Sequence, residues 1–386
     1  MTLTGFVLLY IAATIAIGVI AATRVKNTSD FALAGRSLPL PMVITATFAT
    51  WFGSETILGL PGRFIESGIA GVIEEPFGSG MALILVGTFF AHKLYKQNIL
   101  TLGDYYRDRY GRSVELLCSV AIVISYLGWV GAQVTALGLV INLITEGAVS
   151  MTTGMVIGAA VVLAYTMVGG MWSVAMTDFV QMIVIVVGLV AILWFATDLA
   201  GGMDKVVDYA RGRDLFHAFP EPTTTGWLFW ISAAMTMMIG SIPQQDVFQR
   251  VMSAKNLPTA VAGPILGGSF YILFAFVPMF IVVAAILVMP DAAEKMLSED
   301  PQQLLPTLVR DYMPMWLRVV FFGAVLSAVM STASATMLAP STIFVENVLR
   351  HFMKIDDRNM LRAMRLSVAV FAVCVLSYSI ALEGAA

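Results

Sequence analysis

Ser327, Ser331 and Ser334 stand at i, i+4 and i+7, so on a helix they share one face, with Thr332 beside them. Hydroxyls at that spacing, joined by freed backbone carbonyls, suit a hard monovalent cation such as Na⁺. Such an ion takes several oxygens and no soft donor, and needs no full buried charge to hold it. The same spacing suits close packing by small residues whose hydroxyls bond back to their own helix. Spacing alone leaves both readings open. Asp178, in Thr177-Asp178-Phe179-Val180-Gln181, falls near the end of an apolar stretch. A carboxylate costs up to about 3 kcal/mol at the bilayer centre, so Asp178 either has a partner or function, or is hydrated at the membrane edge. Glu55 falls deeper, beside Gly53 and Ser54, and is expected to be buried and paired. Trp51 and Trp129 fall mid-stretch, away from the interfacial belt that membrane tryptophans favour. Their indoles either stack on an apolar or quaternary-ammonium solute or fill space. The sequence holds no Walker motif, nucleophile elbow or HExxH, so neither an enzyme nor a cofactor is expected.

These residues need elements to hold them at depth. The 386 residues are 59% hydrophobic and 12% charged, with mean hydropathy +0.85. An average soluble domain carries about 25% charged residues. The chain is therefore expected to be an all-α polytopic membrane protein, one transmembrane unit over residues 1–386 in contact with the lipid bilayer. A span needs about 20 apolar residues, and ten such stretches lie near 4–22, 40–60, 72–92, 114–145, 151–168, 174–199, 226–246, 260–289, 316–344 and 365–383. Cys118 and Cys374 sit inside apolar runs, which suggests neither a disulfide nor a metal site. No basic cluster points to nucleic acid. The first stretch lacks the basic lead and small-residue cleavage site of a signal peptide. Most of the 22 Lys and Arg, among them Arg24, Lys96, Arg107, Arg250, Lys354 and Arg362, fall in alternate connections. Those connections are expected to be cytoplasmic, which puts the N-terminus outside a cytoplasmic (inner) membrane. The second stretch runs through Trp51-Phe52-Gly53-Ser54-Glu55 to Pro61, and the seventh through Gly240-Ser241-Ile242-Pro243-Gln244. Polar residues beside Gly and Pro at membrane depth are tolerated where they line a cavity. Two broken helices five segments apart point to an inverted-repeat transporter with its site at the midplane.

The string Tyr165-Thr166-Met167-Val168-Gly169-Gly170-Met171-Trp172-Ser173-Val174, with Thr177-Asp178 and Gln181, resembles the most recognisable segment of the sodium:solute symporter family. Ala328-Val329-Met330-Ser331-Thr332-Ala333-Ser334 resembles that family's sodium-site helix. Ala49-Thr50-Trp51 and Phe248-Gln249-Arg250 look closest to its choline-transporter branch, and Gly59-Leu60-Pro61-Gly62 to its proline symporters. The resemblance implies a leucine-transporter-like five-plus-five inverted repeat preceded by one extra N-terminal helix. It also implies Na⁺-coupled import of a small organic solute by alternating access. The main sodium site would use the carbonyls of Ala49, Phe52 and Ala328 with the hydroxyls of Ser331 and Thr332. A second would use Asp178 and Ser334. Trp51 and Trp129 match two aromatic positions of the choline cage, and Glu55, Gln133, Gly240 and Gln244 complete the expected solute pocket. Gln244 stands where the choline branch has Trp, and Ser334 where it has Asp, so an amino-acid-type solute is as well supported as a quaternary amine. That fold has eleven segments and ten are visible, so its last core helix is expected to be missing. A transporter-like sensor input domain, and an H⁺-coupled symporter titrating Glu55 or Asp178, stand as alternatives.

Overall fold

The computed structural model describes residues 3–353 and 356–383; Lys354 lies outside the described residues. Helices stand at all ten expected stretches, and local chemistry sets their ends. After α1 (Leu3–Ala22), Asn27 caps the short α2 (Thr28–Leu33) by accepting the Asp30 N–H at 2.8 Å. Pro39 and Pro41 open α3 (Leu40–Trp51), where first-turn N–H groups have no helical partner to lose. The helix stops at Phe52, with ψ 76°, and resumes through a wide turn at Glu55–Gly59 into α4 (Leu60–Gly71). Next come α5 (Ile73–Gln97) and α6 (Leu102–Tyr110), the latter begun by a reciprocal capping box of Thr101 and Asp104. The long α7 (Arg112–Ile144) and α8 (Met151–Leu199) follow. Then α9 (Thr224–Gly240) meets α10 (Gln245–Ser253) at a 46° bend. The chain is completed by α11 (Leu257–Val288), α12 (Met315–Ile343) and α13 (Asp357–Glu383). The second and seventh segments are broken as their Gly, Pro and polar residues required.

The two expected helices at 151–168 and 174–199 differ from expectation in having no loop between them. They meet end to end in α8 at a kink on Gly170, with φ 51° and ψ −137°. Only glycine takes that conformation without strain, and a Cβ there would strike the Phe31 carbonyl oxygen. Gly170→Ala should therefore lower stability by about 1–3 kcal/mol, read as a fall in Tm of the purified protein. An unchanged Tm would show that the kink is not constrained.

The centre of the molecule is α12, buried at every residue from Phe321 to Ile343 and packed chiefly against α8 and α7. Helix association in lipid rests on close packing and interhelical hydrogen bonds rather than on water exclusion. The small residues Ala328, Ser331, Ala333, Ser334 and Ala335 meet that need, with α1 against α8 and α11 against α3 on the flanks. By contrast α9 has no buried residue.

Candidate functional site

The break after α3 frees a carbonyl. Gly53 N–H turns back to Trp51 O at 2.8 Å instead of reaching Ala49 O, and Ala49 O accepts the Thr332 hydroxyl at 3.1 Å. Gly53 is required here because a Cβ would lie 2.8 Å from Thr332 Oγ1 and 3.1 Å from Gln133 Oε1. On the preceding residue of α12, Ser331 donates to Asp178 Oδ1 on α8 at 2.5 Å. Asp178 is fully buried, which removes the hydrated-edge reading, and its Oδ2 has no hydrogen-bond partner. The two readings of the hydroxyl face divide by residue. Ser334 bonds back to Ser331 O at 2.9 Å and Ser327 to Gly323 O at 2.6 Å, with Tyr10 Oη 2.5 Å from Ser327 Oγ. Ser331 and Thr332 instead reach across to other helices. Phe52 and Ala328 are both fully buried, the first at the end of α3 and the second one turn before Thr332. The Ala49 carbonyl, the Ser331 and Thr332 hydroxyls and the Asp178 carboxylate thus gather around one junction with no soft donor, a set that fits a hard cation. Among the described residues no three His, Cys, Asp or Glu cluster as a metal site.

Beside this junction lies a cavity of about 300 Å³, lined by Trp51, Glu55, Trp129, Gln133 and Gln244 among others. Trp51 and Trp129 stack with ring centroids 5.1 Å apart at 22°, and Tyr126 stacks behind Trp129 at 5.8 Å. Gln133 Oε1 accepts the Ser54 hydroxyl at 3.1 Å. Two expectations need correction. Glu55 is paired, with Arg63 at 2.6 Å, but its side chain is 43% exposed rather than buried. The break lets it open onto an adjoining cavity of about 590 Å³ near the end of α7. Gly240 does not line this cavity; it is exposed at the last turn of α9, and a Cβ there would meet nothing within 4 Å. The seventh segment contributes Met237 on α9 and Gln244 after the turn instead. Sequence reasoning missed Glu75, which lines the same cavity and accepts from Tyr271 Oη at 2.5 Å and Thr56 Oγ1 at 3.0 Å. The available signal was Glu74-Glu75-Pro76 inside an otherwise apolar stretch.

Buried polar links join the helices next to this cavity. Tyr126 donates to Asp246 Oδ1 at 2.5 Å and accepts the Asp246 N–H at 3.1 Å. Arg250, 1% exposed, donates from Nε to Ala46 O at 2.9 Å and from Nη1 to Asp246 O at 2.8 Å, tying α10 to α3. Leu102 N–H reaches Gln245 Oε1 at 2.9 Å. The two cavities are neighbours, sharing Glu55 and Ala132 in their walls.

A profile of the sodium:solute symporter family matches residues 31–385. The human protein named high affinity choline transporter 1 is 29% identical over 378 residues, covering 92% of this chain and 63% of that protein. Sodium/glucose cotransporter 4 of Danio rerio is 25% identical over 414 residues, covering 97% and 61%. The chain thus spans about three fifths of the length of the curated relatives it matches. A solved Na⁺-coupled sialic acid symporter, in a substrate-bound outward-open state, superposes with a TM-score of 0.87 at 19% identity, covering 99% of this chain and 81% of that one. The architecture is the leucine-transporter-like helical fold. With matching residues running from α2 to the end of α13, this chain belongs to the sodium:solute symporter family.

Proposed function

We propose that the chain is the core of a secondary transporter that carries a small organic solute with Na⁺ across the cytoplasmic membrane by alternating access, its N-terminus outside. The observation that carries this is the meeting of the Thr332 hydroxyl with the Ala49 carbonyl at the α3 break. Na⁺ among Ala49, Phe52, Ala328, Ser331 and Thr332 would hold α12 against the break. It would favour the conformation open to the wide cavity, which requires only that the ion bind that conformation better. Asp178 with Ser331 and Ser334 supports a second ion. A membrane potential adds about 2.3 kcal/mol per charge per 100 mV, which drives accumulation. Carboxylate and amide groups in the cavity wall suit a solute with a positively charged nitrogen, of the quaternary-amine or amino-acid type.

The test is thermal unfolding of the purified protein in NaCl against KCl at equal ionic strength, scanned with choline, betaine, proline and other amino acids. Na⁺ should raise Tm, and a solute should raise it further only with Na⁺ present; ligand at a hundred times its Kd adds about 2.7 kcal/mol. Identical Tm in Na⁺ and K⁺ with every solute would reject the reading. Uptake that follows pH and ignores Na⁺ would replace the coupling ion with H⁺.

A further inference from the structure

Of the two carboxylates that line the solute cavity, Glu55 is balanced by Arg63, and no Lys or Arg lines the cavity to balance Glu75. Glu75 Oε1 takes both hydroxyl donors, from Tyr271 and Thr56; among the described residues its second oxygen bonds to no protein group. Two further groups in the wall are unbonded. Trp51 is 5% exposed and its indole N–H has no partner, and Gln244 Oε1 has none either. A quaternary ammonium offers only C–H groups and is held by aromatic faces. Here Trp51 and Trp129 turn faces toward each other at 5.1 Å, which withdraws aromatic surface from any solute. A protonated amine that keeps its N–H groups can donate to the free oxygen of Glu75 and to Gln244 Oε1, and charge-assisted hydrogen bonds are the strong ones.

We propose that Glu75 sets solute specificity, selecting compact organic cations or zwitterions that carry N–H donors over their N-trimethylated counterparts. The Trp51 N–H then meets an acceptor on the same solute. This rests on the reading that the cavity takes the transported solute.

The experiment measures binding of ethanolamine against choline, and of glycine against betaine, to the full chain in saturating Na⁺, with and without Glu75→Gln. The unsubstituted protein should bind at least one N–H partner about tenfold or more tightly than its N-trimethyl analogue, the margin of one charge-assisted hydrogen bond. Glu75→Gln keeps an acceptor for Tyr271 and Thr56 and should bring that ratio near unity while stabilisation by Na⁺ alone persists. Equal or tighter binding of choline and betaine, a ratio that survives Glu75→Gln, or no binding of either amine would each overturn the proposal. The ratio in the unsubstituted protein decides the matter even where the variant does not fold. Absence of any Na⁺ stabilisation would instead sink the symport reading on which it rests.

Discussion

Replacing Ser331 and Thr332 together by Ala should abolish Na⁺-dependent uptake and the Na⁺-dependent rise in Tm. These hydroxyls donate across to other helices, Thr332 to Ala49 O and Ser331 to Asp178. Each oxygen facing an ion contributes on the scale of a hydrogen bond to a charged group, about 1.5–3 kcal/mol. Losing both should therefore weaken Na⁺ by roughly a hundredfold or more. The double variant also strips Asp178 of its hydrogen-bond donor, so some general destabilisation is expected with it. The discriminating control is Thr332→Ser, which keeps the oxygen and should keep the Na⁺ response. Uptake by the double variant that still depends on Na⁺ would end the assignment of this junction as the ion site.

Arg250→Met should produce the largest loss of stability. Both Arg250 and Asp246 are buried, one helical turn apart, and the guanidinium also secures Ala46 O on the neighbouring helix. Removing one charge of a buried opposed set leaves the other uncompensated, which costs about 3–5 kcal/mol. The measurement is Tm or denaturant midpoint in detergent. Adding Asp246→Asn should recover part of the loss, because the amide can still meet Tyr126 without carrying charge. A double variant no more stable than Arg250→Met would show that the cost lies in the lost hydrogen bonds alone.

The broken helices were legible because Gly53, Pro61, Pro243 and their polar neighbours interrupt apolar stretches, and lipid allows such interruptions only around a cavity. Thr332 was legible as a candidate because it stands beside Ser327, Ser331 and Ser334, hydroxyls at helical spacing in an otherwise apolar stretch. Glu75 was not, because the groups that hold it, Thr56 and Tyr271, lie 19 and 196 residues away and give no local pattern. The burial of Arg250 was hidden for a related reason: its partner on α3 is a backbone carbonyl 204 residues distant, which has no residue identity to read. Glu55 and Gly240 went astray through depth. Position along a stretch says how far a residue sits from the stretch's ends, but not whether the break turns it inward. At Glu55 it opened the side chain to a wide cavity, and at Gly240 the exposed face of α9 points away from the cavity that Met237 lines. The sharp kink at Gly170 read as a loop because a single glycine does the work of several residues.

The stack of Trp51 on Trp129 makes the site optically addressable. Two indoles 5.1 Å apart with rings 22° from parallel couple their electronic transitions, and the coupling depends steeply on spacing and angle. The chain has seven Trp, and Trp51 and Trp129 are the two in the wall of this cavity. A near-ultraviolet circular dichroism band that Trp129→Phe removes would therefore report occupancy of the cavity directly, with no label and no transport assay.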